Sequence, residues 1–285
     1  MAASKQFNSV RSALAEGRNV LEASSSSAQL DAELLLALAL NKNRTWLYGH
    51  GEDPLTEKVA DVYRMLLTER ARGIPLAHMT GTREFWSLEF TVDASTLVPR
   101  PETELLVELA LRKIPPGRPA SVLDLGTGSG AIAVAIATER PEANIVATDV
   151  SAGALTVARE NAERLCPDRI RLCAGSWFDA LPDETFDVIV SNPPYIAESE
   201  THLTDPELAF EPVDALYSGG DGLDAIRQIV ANAPTHLPPG GWLLIEHGFA
   251  QAAAVAELYT TAGFESVDNV TDLAGQPRIT IGRKP

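Results

Sequence analysis

Ser121-Val122-Leu123-Asp124-Leu125-Gly126-Thr127-Gly128-Ser129-Gly130 runs directly into Ala131-Ile132-Ala133-Val134-Ala135-Ile136-Ala137. The first five residues read as a buried strand, the glycines as a tight turn and the alanine-rich stretch as a helix. Strand, glycine turn and helix in that order open a nucleotide-binding unit, because glycine admits positive φ and lets a ligand approach the backbone. The spacing is GxGxG and not the GxGxxG of dinucleotide enzymes, so the loop alone is equally compatible with a plain strand-to-helix connection.

Reading outward, the same pattern repeats. Asn144 to Thr148 is a second strand, ending in Asp149 where an acid commonly takes ribose hydroxyls. Ile170 to Ala174 is a third, ending near Ser176-Trp177, and Phe186 to Ser191 a fourth, running into Asn192-Pro193-Pro194-Tyr195. Singly, each feature has an ordinary structural explanation: Asp149 beside a helix cap, Trp177 in a core, Pro-Pro ending a strand. Together they put a glycine loop, an acid, an aromatic and an amide at the carboxyl ends of successive strands, which in a doubly wound sheet line one crevice. Proline has no N–H, and the residue before it is extended, so Asn192 to Tyr195 is a stiff segment rich in acceptors. Such a segment suits a substrate that donates hydrogen bonds through an NH2 group.

Trp242 to Glu246 reads as a fifth strand and Ala250 to Thr261 as a helix, with final strands at Phe264 to Val270 and Arg278 to Gly282. The fold class is therefore α/β, a Rossmann-like sheet of seven strands. The connection from Ile196 to Asp221 is long enough to be functional, with Leu203 to Phe210 helical and Gly219 to Gly222 a turn before a helix. The first eighty or so residues read as helices. Ser24 to Ser27 form a capping turn before a helix carrying Leu30, Leu34, Leu35 and Leu38, and Pro54 begins another through Val59, Val62, Met65 and Leu66. Arg64, Arg70 and Arg72 on that second helix read as a solvated face. Between the two regions, Glu84 to Val98 has strand character and forms a hairpin, and Pro101 sits in the first turn of the next helix. The expected division is a helical domain at 1–81, a hairpin linker at 82–100 and a Rossmann-like domain at 101–285.

The 285-residue chain carries a net charge of −16. That balance argues against a broad nucleic-acid footprint, which requires a basic stripe, and favours a partner with a basic surface. No apolar run is long enough to span a bilayer, and no basic start leads into a cleavable apolar segment. Cys166 and Cys173 are too few for a disulfide framework, and His50, His78, His202, His236 and His247 are scattered. The expectation is a soluble cytoplasmic protein with no metal site.

Several segments together resemble the release factor glutamine methyltransferases (PrmC/HemK family), class I enzymes dependent on S-adenosyl-L-methionine. They are Glu84-Phe85-Trp86, Leu97-Val98-Pro99-Arg100-Pro101-Glu102-Thr103-Glu104, Asp124 to Gly130, Ser191 to Tyr195 and Asp221-Gly222-Leu223. The glycine loop and Asp149 indicate only a class I methyltransferase, and Asn-Pro-Pro-Tyr is shared with adenine-specific DNA methyltransferases. The Pro-Arg-Pro-Glu-Thr-Glu segment behind a helical region narrows the resemblance to the glutamine enzymes. It implies methyl transfer to the glutamine of the Gly-Gly-Gln motif in class I peptide chain release factors. The charge and hydropathy add the expectation of no stable nucleic acid and no membrane, and the chain is expected to be a monomer. The resemblance also implies that Gly126, Thr127, Gly128, Ser129, Gly130, Asp149, Trp177 and Asn192 meet the cofactor, and that Asn192, Pro193, Pro194 and Tyr195 hold the substrate amide. Asn192 and Pro193 would be the catalytic acceptors, with Tyr195 packed on the amide plane. Arg100, Glu102 and Thr103 would either close the pocket or cap a helix. The amino-terminal helices would help to recognise the release factor. Three other readings stand beside this one: an adenine-N6 methyltransferase, an NAD-dependent dehydrogenase, and a non-catalytic binding module.

Overall fold

The computed structural model describes residue 7 and residues 9–200 and 206–285. Two compact units divide them: residues up to Gly81 together with Pro206–Phe210, and the remainder from Thr82 onward.

The first unit contains α1 (Val10–Leu21), α2 (Ala28–Leu40), α3 (Arg44–Gly49), α4 (Glu57–Ala71) and α5 (Leu76–Thr80). Ser9 and Ser12 start α1 by exchanging side-chain-to-backbone hydrogen bonds, which satisfies two helix-end donors. The core gathers Val10, Leu21, Leu35, Leu36, Tyr63 and Leu67, with the Tyr63 hydroxyl donating to the Ala32 carbonyl at 3.2 Å. Two expectations change here. Arg70 is not solvated: it is 5 % exposed, and it donates to Asp31 (2 % exposed) at 2.7 Å and to Glu207 at 2.6 Å. Ser27 does not cap α2 with its side chain. Its hydroxyl and that of Ser25 instead donate to the Asp31 carboxylate, at 2.7 and 2.8 Å. The serine-rich turn therefore serves a buried anion, which explains its composition better than capping does. Pro206–Phe210 is a short 3₁₀ turn, and His202 and Leu203 to Asp205 lie outside the described residues.

The second unit opens with a hairpin of β1 (Thr82–Phe85) and β2 (Leu88–Thr91). Its strands are shorter than the sequence suggested, because Trp86 and Ser87 form the turn with φ of 53° and 57°. Side chains rarely adopt that conformation unaided. Here Trp86 is held from both sides: its backbone N–H donates to Glu104 at 2.8 Å and its indole N–H to Glu139 at 3.0 Å. Phe85 and Phe90 are buried in the core of this unit, so the hairpin packs as part of it.

There follow α6 (Glu104–Lys113), β3 (Ser121–Leu125), α7 (Ala131–Glu139), β4 (Asn144–Asp149), α8 (Ala152–Leu165), β5 (Ile170–Ala174), β6 (Val188–Ser191), α9 (Asp224–Asn232), β7 (Trp242–Glu246), α10 (Ala252–Thr261), β8 (Glu265–Thr271) and β9 (Pro277–Arg283). The seven strands form one sheet in the order β5-β4-β3-β6-β7-β9-β8, parallel except that β9 runs antiparallel to both neighbours. This is the Rossmann-like sheet expected from the alternation of strands and helices. Strands buried on both faces read as continuous apolar runs, and β3 and β6 are such strands. The order reverses between β3 and β6, which opens a crevice beyond their carboxyl ends. Among the described residues no helix is long and apolar enough to cross a membrane.

Candidate active site

Register brings the site together. Leu125 of β3 lies opposite Thr148 of β4 and Ser191 of β6, and Ser191 lies opposite Ile245 of β7. The next residues, Gly126, Asp149, Asn192 and Glu246, therefore leave the sheet at one level. A cavity of about 440 Å³ occupies that crevice. Gly126, Thr127, Gly128 and Ser129 line it, as do Asp149, Trp177, Asn192, Pro193 and Pro194. Gly130 and Tyr195 do not. Gly130 starts α7 with φ of 83° and backs onto Ala158, while Tyr195 packs against the apolar cluster that contains Ile245 and Tyr259.

The glycine loop needs its glycines. Gly126, Gly128 and Gly130 have φ of 70°, 56° and 83°, and a Cβ on Gly128 would meet nothing within 4 Å, so its backbone is bare on that side. Asp124, wholly buried, pins the loop to α7 by accepting from the Thr127 hydroxyl at 2.6 Å and from Ala133 N–H at 3.2 Å. Burial pushes its carboxyl up to about 7, against the pull of those two hydrogen bonds. Asp149 braces the loop from the other side, accepting from Gly128 N–H at 2.9 Å and from Ser151 N–H at 2.8 Å. Both contacts were invisible from spacing. The Trp177 ring lies against Gly126, where an added Cβ would come within 3.3 Å of it.

The Asn192 segment is equally braced. Ser191 donates to the Leu125 carbonyl at 2.8 Å, and Asn192 Nδ2 donates to Thr103 Oγ1 at 3.1 Å. No described residue donates to Asn192 Oδ1. Beyond the prolines, Gln251 Nε2 donates to the Tyr195 carbonyl at 2.9 Å, and Ile196 pairs with the stretch around Tyr217.

The Pro99 to Glu104 segment is taken up residue by residue. Arg100 and Thr103 line the cavity, whereas Glu102 does not. Arg100 pairs with the buried Glu211, which also accepts from Val98 N–H at 3.0 Å. Thr103 meets Asn192, and Glu104 holds the hairpin turn. The segment is thus a cavity wall and a helix start at once. Glu211, Gln251 and Glu246 were not singled out in the sequence. Glu246 alone carried a signal, as the final residue of a strand beside that of Asn192.

A glycine-turn cradle, an acid and an aromatic beside it, and an amide-proline segment on the adjoining strand define the methyltransferase class on this fold. A methyltransferase from Pyrococcus furiosus shares the fold: its solved structure matches with a TM-score of 0.54 at 22 % identity, covering 76 % of this chain and 98 % of that one. The profile of the methyltransferase small domain matches residues 101–258, and that of the PrmC N-terminal domain matches residues 12–81. The release factor glutamine methyltransferase of Xylella fastidiosa (strain Temecula1) is 51 % identical over 90 % of this chain and 94 % of its own length. That of Burkholderia pseudomallei is 48 % identical over 98 % of this chain and its whole length. The chain belongs to the release factor glutamine methyltransferase family.

Proposed function

We propose that the chain transfers a methyl group from S-adenosyl-L-methionine to the side-chain nitrogen of the glutamine in the Gly-Gly-Gln motif of class I peptide chain release factors. The observation that carries this reading is that Asn192 shares one cavity with the glycine loop, its Nδ2 committed to Thr103 and its Oδ1 open.

The cavity fits such a cofactor: the bare backbone at Gly128 gives close approach, Asp149 offers acceptors for ribose hydroxyls, and Trp177 offers a ring for the adenine. Gly126 to Gly130 shape the cradle. Bound there, the cofactor supplies an electrophilic methyl group on a sulfonium centre. Asn192 Oδ1 and the Pro193 carbonyl accept the two N–H groups of the substrate amide. Holding both protons aims the nitrogen lone pair and stabilises the positive charge that nitrogen gains, a preorganised electrostatic effect. Pro194 stiffens that pair of acceptors. Tyr195, set back in the apolar cluster, anchors the end of the segment. Orientation alone supplies effective molarities on the order of 10⁵ M or more. As the S–CH3 bond breaks its electron pair returns to sulfur. The nitrogen, strongly acidic once methylated, then gives one proton to water, so no base is needed before attack. The helices before Gly81 are read as the surface that recognises the release factor, in the cytoplasm and with the enzyme as a monomer.

Mass spectrometry of a purified release factor, incubated with enzyme and cofactor, tests the reading. One methyl group on the Gly-Gly-Gln glutamine is expected, and its loss with Asn192→Ala. Methylation of DNA or RNA adenine with an untouched release factor would overturn it.

A further inference from the structure

Glu246 ends β7 beside Asn192, because the parallel register sets Ser191 against Ile245. It is 2 % exposed and lies behind the cavity wall, outside the lining. The parallel register puts its side chain on the same face as that of Asn192. The side chains of Thr103 and Asn192 are the polar neighbours that favour its charged form, and its Oε2 is buried without a partner. Thr103, itself buried, accepts from Asn192 Nδ2 at 3.1 Å. A hydroxyl has one proton to give, and accepting from Asn192 leaves that proton for Glu246. The NH2 end of the Asn192 amide is therefore occupied on the protein side.

We propose that Glu246, acting directly and through Thr103, is a positioning residue that fixes the Asn192 amide with Oδ1 toward the substrate nitrogen and strengthens Oδ1 as an acceptor. The inference rests on reading Asn192 as the group that receives the substrate N–H. A negative charge at the donor end of an amide draws electron density toward its oxygen, and chained hydrogen bonds in a dry interior reinforce one another. The acceptor is then strongest as the nitrogen turns positive. The same arrangement makes the effect pH-dependent. Burial pushes the Glu246 carboxyl up to about 7, opposed by Thr103, Arg278 and Asn192 and assisted by Glu102. Tyr195 also faces Glu246, and its own pKa is raised, first by burial. Glu246 is charged above about pH 7 and neutral below it, so kcat climbs through that point.

The test uses the full-length chain with release factor and cofactor, measuring kcat and KM separately across about pH 5 to 9. Glu246→Gln keeps the shape and removes the charge. It should lower kcat about ten- to a hundredfold, leave calorimetric cofactor affinity unchanged and abolish the inflection near pH 7. Thr103→Val should lower kcat and flatten the inflection, and Thr103→Ser should restore both. Should the glutamine variant not fold, the Thr103 pair decides. Wild-type kcat in Glu246→Gln, an inflection that survives in it, or equal rates for the Val and Ser variants would overturn the positioning role. A wild-type enzyme that leaves the release factor unmethylated would instead overturn the reading of Asn192, which separates the two failures.

Discussion

Gly222 lies far from the glycine loop in sequence, yet replacing it with alanine should disable catalysis. A Cβ on Gly222 would sit 2.3 Å from the Tyr195 carbonyl oxygen, 2.8 Å from Gln251 Nε2 and 3.0 Å from Ala197 N. Ordinary contact begins at 3.4 Å, so the carbonyl must retreat by about 1 Å. The backbone there has φ of 77°, which costs a side chain roughly 1–2 kcal/mol by itself. The Tyr195 carbonyl is also where Gln251 ties down the segment that begins with Asn192. Two intervening prolines are too stiff to absorb the shift, so it reaches the Asn192 amide. Misplacing a reacting group by about 1 Å costs on the order of a hundredfold, or about 2.7 kcal/mol of barrier. Initial rates of release-factor methylation at saturating cofactor should fall by that factor. Cofactor affinity, read by calorimetry, should stay unchanged, because the glycine loop leaves a different strand. The melting temperature should drop by only a few degrees, as expected for a loss of roughly 1–2 kcal/mol. A folded Gly222→Ala enzyme with wild-type kcat would refute the idea that this turn holds the motif in place.

Asp149→Ala removes acceptors that brace Gly128 and that face the cavity. Cofactor affinity should fall about a hundredfold or more, two charge-assisted bonds of about 1.5 kcal/mol each being the minimum lost, and an unchanged calorimetric Kd would take Asp149 off the ribose. Arg70→Ala leaves Asp31 buried and uncompensated, so urea unfolding of the full chain should register a loss of about 3–5 kcal/mol. A loss under about 1 kcal/mol would mean that water already solvates the pair. For Asp124 the folded carboxyl titrates at about 7 and the ordinary one at 3.8, so the folded state binds the extra proton in between. Its contribution to stability is then lost as pH rises through that window. The stability of wild type relative to Asp124→Asn should decline across it and level off above, and a pH-independent difference would show that the carboxyl is not held neutral.

The sheet was legible because each of its central strands is buried on both faces and ends in a residue unlike the strand. Gly126, Asp149 and Asn192 break apolar runs at one level, so strand ends alone predicted the crevice. The same rule extended to β7 would have flagged Glu246; the signal was present, but a lone acid before His247 reads as the start of a loop. Gln251 and Glu211 gave no signal, since each acts from a distant segment through contacts that only folding creates. In the helical unit, α2 is apolar nearly all round and so carries no phase. Leu30 and Leu38 are 39 % and 41 % exposed, while Asp31 and Glu33 are buried. Arg70 misled for a related reason, because a cation among exposed neighbours looks solvated until its two carboxylate partners, one of them Glu207, arrive from elsewhere in the chain.

That ion cluster has a consequence for dissecting the protein. The helical unit is discontinuous, borrowing Pro206–Phe210 from the middle of the other unit's sequence. A fragment truncated at Gly81 would expose the guanidinium that Glu207 covers, and the complementary fragment would carry a stray segment stripped of its seat. Moving this helical unit onto another chain must therefore carry both pieces, or Arg70 arrives without the carboxylate that covers it.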